Sequence, residues 1–92
     1  MTAARDGGWT LRYSRRAEKD VARLDPPVRR RILNSLAQFA EEPSSAAGLR
    51  KLSNRSESRL RIGDWRVILD VVASSHEIYV HRVLPRGRAY DR

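Results

Sequence analysis

Three arginines flank a two-residue turn in the stretch 57–72, ESRLRIGDWRVILDVV: Arg59 and Arg61 precede Gly63-Asp64, and Arg66 follows it. A loop of Gly63 and Asp64, residues that tolerate positive φ, pairs Ile62 with Trp65, Arg61 with Arg66, Leu60 with Val67 and Arg59 with Ile68. Side chains alternate along a strand, so Leu60, Ile62, Trp65, Val67 and Leu69 share one face while Arg59, Arg61 and Arg66 share the other. Like charges placed opposite each other on a sheet cost on the order of a few tenths of a kcal/mol. An anion from outside the chain is the first candidate for what these cations serve.

Further along, the strand-like run 78–84 carries His81, and the tail PRGRAYDR carries Arg86, Arg88 and Tyr90. A concave cationic surface of this kind can act on the phosphodiesters of RNA without a metal, because RNA brings its own nucleophile in the 2′-OH. The protein then has to align that hydroxyl with the phosphorus, stabilise charge on the phosphoryl oxygens and assist two proton transfers. Bidentate guanidinium groups suit the second task. They suit the third poorly, since the arginine pKa stays above ~12.

Other chemistries lack their residues. The chain has no glycine-rich phosphate loop, nucleophile elbow, paired-carboxylate motif or H-E-x-x-H. Cysteine is absent and only His76 and His81 are available as imidazoles, so neither a metal site nor a cofactor is expected. From the residues alone a basic nucleic-acid binder comes ahead of an enzyme, and a plainly solvated sheet surface stands as the third reading. By their parity with the apolar positions, Trp9 and Trp65 read as core residues rather than base-stacking platforms.

Composition agrees with an anionic partner. The 92 residues hold 19 Lys plus Arg against 11 Asp plus Glu, a formal +8, and 17 of the 19 cations are arginine. Such a charge suits RNA, DNA or an acidic protein. No stretch approaches the ~20 apolar residues of a membrane span, and residues 1–8 lack the apolar centre of a signal peptide, so a cytoplasmic protein is expected with no membrane partner.

The elements that must position these residues follow from periodicity. Residues 1–8 read as a disordered start, and 9–92 as one domain. Trp9, Leu11 and Tyr13 alternate with Thr10, Arg12 and Ser14 as a half-buried strand. Ser14 caps a helix to about Leu24, and Asp25 caps a second with Pro26 at its first position and a stripe of Val28, Ile32, Leu36, Phe39 and Ala40. Almost nothing joins the two, which predicts an antiparallel helical hairpin laid on the sheet. Arg29, Arg30 and Arg31 point ~100° apart and read as a solvated face. Residues 43–48 are a loop, and 49–58 a polar connection anchored by Leu49 and Leu52. In the last strand Ile78 and Val80 share one face and Tyr79, His81 and Val83 the other, with Tyr79 and His81 joining the arginines if the preceding loop is even in length. The fold class is α+β in the order β-α-α-β-β-β, with a small, mostly antiparallel sheet.

A basic strand, a G-D-[WY]-R-V-[IVL] turn, an apolar strand and a tail with arginines and a tyrosine resemble the RelE/ParE toxin superfamily. The resemblance runs from about Trp9 to Tyr90, and RLRIGDWRVILDV is its most specific piece. It implies the toxin of a bacterial type II toxin–antitoxin system, and for a RelE-like member a ribosome-dependent endoribonuclease that cleaves mRNA in the A site by 2′-OH attack. An acidic RelB-like antitoxin would be the partner, with operator DNA bound only through the toxin–antitoxin complex. By the resemblance Arg66 and Arg86 hold the scissile phosphate, Tyr90 orients a codon base, and Arg59 and Arg61 neutralise the backbone. Arg61 stands where RelE members place a lysine of the catalytic set, Arg88 is an alternative to Arg86, and His81 adds a phosphate contact. A ParE-like gyrase inhibitor and a non-catalytic nucleic-acid-binding module are the alternatives.

Overall fold

The computed structural model describes residues 9–43, 49–51 and 57–85, the second segment by its backbone alone. Among these residues the chain runs β1 (Thr10–Tyr13), α1 (Arg15–Ala22), α2 (Pro26–Glu41), β2 (Leu49–Lys51), β3 (Ser58–Ile62), β4 (Trp65–Val72), a 3₁₀ turn (Ala73–Ser75) and β5 (Glu77–Pro85). The strands form one sheet in the order β1-β5-β4-β3-β2. β1 runs parallel to β5 and every other pair is antiparallel. This is the expected α+β fold with one strand more. β2, which the sequence places in a polar connection, pairs Leu49, Arg50 and Lys51 with Leu60, Arg59 and Ser58.

Both helices cover one face of the sheet. Ala17, Leu24, Ile32, Leu36, Phe39 and Ala40 meet Leu60, Ile62, Val67, Leu69, Ile78, Val80 and Val83 in a single buried cluster. Trp9 and Trp65 are half-buried against it, as their parity requires. Burying a large aliphatic side chain is worth about 1.5–3 kcal/mol, so this cluster is the main source of stability.

Ser14 joins three elements. Its backbone N–H donates to Val80 O at 2.9 Å, its hydroxyl donates to His81 O at 2.8 Å, and Ala17 N donates to the hydroxyl at 3.0 Å. It therefore ends β1, caps α1 and holds β5. Asp25 occupies the N-cap of α2, but its side chain makes no capping hydrogen bond. The helix joint is closed by Arg29, whose Nε and Nη2 donate to Val21 O at 3.3 Å and Leu24 O at 2.9 Å. Val21 O already accepts from Leu24 N at 3.1 Å, so Arg29 adds a second donor there and supplies one to Leu24 O at the end of the first helical segment.

The hairpin register is the expected one, residue for residue from Arg59↔Ile68 to Ile62↔Trp65. Within its turn only Gly63 takes positive φ, at 58°, the pattern of a turn with glycine at the first central position. Two expectations about facing fail. Val83 is buried at 2% exposure on the same side as Ile78 and Val80, because β5 carries one extra residue, His81, opposite the Ile68/Leu69 step of β4. A bulge of this kind restores the inward phase one residue late. Arg66 has the outward parity but is only 5% exposed, with its guanidinium folded back over the turn.

Candidate nucleic-acid interface

The face of the sheet opposite the helices carries the cations in rows set by register. Arg61 pairs with Arg66, which pairs with Leu84; Arg59 pairs with Ile68, which pairs with Arg82. Arg61 is exposed and Arg59 half-buried. Arg66 Nη1 donates to Trp65 O at 3.1 Å and to Gly63 O at 3.4 Å. Those carbonyls relieve the repulsion that two facing arginines would otherwise feel. Engaging a phosphate through Nη1 requires exchanging them for it.

A second cluster lies at the other end of this face. The loop 73–76 has an even number of residues, so Tyr79 falls beside Asp70 on the outward side. His81 Nε2 lies 3.0 Å from Asp70 Oδ2, and the Tyr79 and His81 rings stack with centroids 5.9 Å apart and planes 13° off parallel. Asp70 Oδ1 is buried and has no hydrogen-bond partner among the described residues. Tyr79 and His81 lie on the outward face, as the even loop requires, whereas Asp70 is a residue that the sequence does not single out. The signal for Asp70 was its parity with Arg66 along β4.

Arg82 does not add to the free charge of the face. Its Nε and Nη2 donate to Asp20 Oδ2 and Oδ1 at 2.8 and 3.1 Å, and Val83 N donates to the same carboxylate at 2.9 Å. Burial alone pushes the Asp20 carboxyl up. The Arg82 hydrogen bonds, the Val83 amide and the charges of Arg82 and Arg23 outweigh it and hold the group below its ordinary value. At the outer edge Arg12 Nε donates to Glu77 Oε2 at 2.9 Å, and that bond raises the Arg12 pKa and lowers that of Glu77.

The three helix arginines diverge as their spacing requires. Arg29 closes the helix joint, Arg30 is exposed, and Arg31 lies against the turn, where a Cβ on Gly63 would meet its Nη2 at 2.5 Å. Beside it a cleft of about 550 Å³ separates α2 from the hairpin end, lined in part by Arg31, Gln38, Arg61 and Gly63. Among the described residues no group of three or more His, Cys, Asp or Glu side chains is gathered to hold a metal ion. No helix among them is long and apolar enough to cross a membrane. Arg86, Arg88 and Tyr90, and the disordered start expected at 1–8, lie outside the described residues.

A helical hairpin on a mixed sheet of this order is the fold of the RelE toxins. The toxin in the archaeal RelE–RelB complex from Pyrococcus horikoshii superposes with a TM-score of 0.76 at 26% identity, over 88% of this chain and 98% of that one. The toxin–antitoxin complex RelBE2 from Mycobacterium tuberculosis gives 0.76 at 18% identity, over 86% and 99%. A chain of the chromosomal ParDE system from Pseudomonas aeruginosa gives 0.67 at 15%, over 87% and 98%. No curated protein matches in sequence. The family model described as the ParE toxin of the type II toxin–antitoxin system parDE matches residues 11–90, and the chain belongs to that family, within the RelE/ParE superfamily. It is a type II toxin, and the resemblance carried by the hairpin motif is borne out.

Proposed function

We propose that this toxin is a ribosome-dependent, metal-independent endoribonuclease that cleaves mRNA by attack of a 2′-OH on the adjacent phosphate. The observation that carries the reading is the outward row of β3, where Arg59 and the exposed Arg61 follow each other and Arg61 stands opposite Arg66, on the same face as an imidazole held by a carboxylate. Arg61, Arg66 and Arg86 stabilise charge on the phosphoryl oxygens, with Arg66 giving up its turn carbonyls to do so. Arg59, Arg88 and His81 contact neighbouring phosphates, and Tyr90 orients a base. Arginine in place of lysine leaves the proton acceptor to another group, since a guanidinium does not give up its proton.

The partner is an acidic, RelB-like antitoxin that folds on the +8 surface, and operator DNA is bound only through that complex. The RelB–RelE and RelBE2 complexes among the structural relatives support this partnership. Action on ribosomes places the toxin in the cytoplasm.

A second reading is favoured by the name of the matching family model: a ParE-like toxin that binds DNA gyrase and cleaves nothing. Primer extension on mRNA after induced expression separates the two. Cuts within translated codons that vanish in a soluble Arg61→Ala variant are expected. Intact mRNA with an SOS response would transfer the chain to the gyrase class.

A further inference from the structure

Tyr79 has no part in the phosphate contacts assigned above, and its stacking on His81 is ordered in a way that a solvated surface does not require. Tyr79 is 40% exposed, one of the large apolar-bodied side chains left open among the described residues, yet its ring lies parallel to that of His81. His81 is in turn fixed from the neighbouring strand by Asp70. On the β1 side Arg12, which pairs with Tyr79, is bonded to the Glu77 carboxylate, while on the β4 side the Asp70 carboxylate is bonded to His81.

We propose that Tyr79 and His81 form a stacking platform for an unpaired base of single-stranded RNA, one or two nucleotides from the phosphate held at Arg59 and Arg61. The proposal rests on the RNA-directed reading above and adds to it a base subsite on the sheet itself, separate from the tail. Register sets the spacing. Tyr79 is two strands across from β3, about 10 Å at ~4.8 Å per strand, and sits opposite Asp70, which is two residues or about 7 Å along β4 from Arg59's partner Ile68. The two Cα atoms are therefore about 12 Å apart. The long side chain of Arg59 closes part of that gap, and a dinucleotide spans the rest. Every base offers a π-face, so such a platform binds with little sequence preference while the arginines track the backbone.

The test uses the full-length chain and a single-stranded hexaribonucleotide carrying 2-aminopurine, whose fluorescence falls when the base stacks, with a dye-labelled copy for affinity by anisotropy. The wild type is expected to bind and to quench. Tyr79→Ala should abolish the quench and weaken binding about 10-fold, within the 5- to 150-fold range of single base–aromatic contacts, while Tyr79→Phe retains both. Arg61→Ala should weaken binding and flatten the salt dependence, yet still quench at saturation. Undiminished quenching in Tyr79→Ala, or a Tyr79→Phe variant as impaired as Tyr79→Ala, overturns the platform, as does a wild type that binds no RNA. Binding without quenching by the wild type overturns the platform but leaves RNA cleavage standing. Quenching in a toxin that cuts no mRNA in cells overturns cleavage and leaves the platform.

Discussion

The two helices hold the sheet by different means. α1 is tied to β5 by directional polar bonds: Ser14 to the backbone at residues 80 and 81, and Asp20 to both Arg82 and the Val83 amide. α2 lies on the sheet through Ile32, Leu36, Phe39 and Ala40, and at the hairpin end it leaves a cleft of about 550 Å³. Among the described residues no strand lies beside β5 beyond its pairing with Tyr13 of β1, and the Asp20 carboxylate takes the Val83 N–H on that side. The contrast separates two jobs. β5 is fixed in place by polar bonds, while the margin beside Arg61 stays open as a cleft.

The contrast can be broken first on its apolar side. Leu36 is fully buried, and Leu36→Ala should lower unfolding free energy by about 3 kcal/mol, read by urea denaturation. If the loss is under ~1 kcal/mol, α2 is not held by its apolar stripe.

On the polar side, Asp20→Asn leaves Arg82 without its counter-charge and should cost about 2 kcal/mol at pH 7. The sign with pH is fixed by the direction of the shift. A carboxyl held below its ordinary value stabilises the fold above the ordinary range near pH 4, and that contribution disappears as pH falls through the folded value. Wild type should therefore lose more stability than Asp20→Asn between pH 5 and pH 2. Glu77 shifts in the same direction, so only the difference between the two proteins isolates Asp20.

The smallest effect belongs to the open margin. Gly63→Ala meets only the far end of the Arg31 side chain, which can move, so the cost comes from its φ of 58° and should be about 1 kcal/mol. An equal loss in an Arg31→Ala background would confirm that backbone strain, not the arginine contact, sets it.

Much of this fold could be read from residue spacing. The hairpin register followed from Gly63-Asp64 between two alternating runs, and both helices from their apolar stripes and from Ser14 and Pro26. The features that escaped are those decided by tertiary partners. β2 is three residues defined by their pairing with β3. The burial of Arg66 comes from turn carbonyls near its guanidinium, and alternation reports only which side its Cβ leaves from. His81, Arg82 and Leu84 fit either phase of a strand, so nothing local marked the extra residue. Of the candidate site, the cations on β3 and β4 and the facing of Tyr79 and His81 were legible, whereas the Asp70–His81 contact needed the β4–β5 register.

The extra residue at His81 changes how the tail must be compared between relatives. Two chains can share the spacing of the hairpin and still be offset by one place after β5, because the inward positions 78, 80 and 83 absorb the difference without disturbing the core. Counting forward from Arg66 therefore assigns tail arginines to the wrong equivalents in any relative with an unbroken strand. Matching through the inward positions 78, 80 and 83 keeps two such chains in phase to the end of β5.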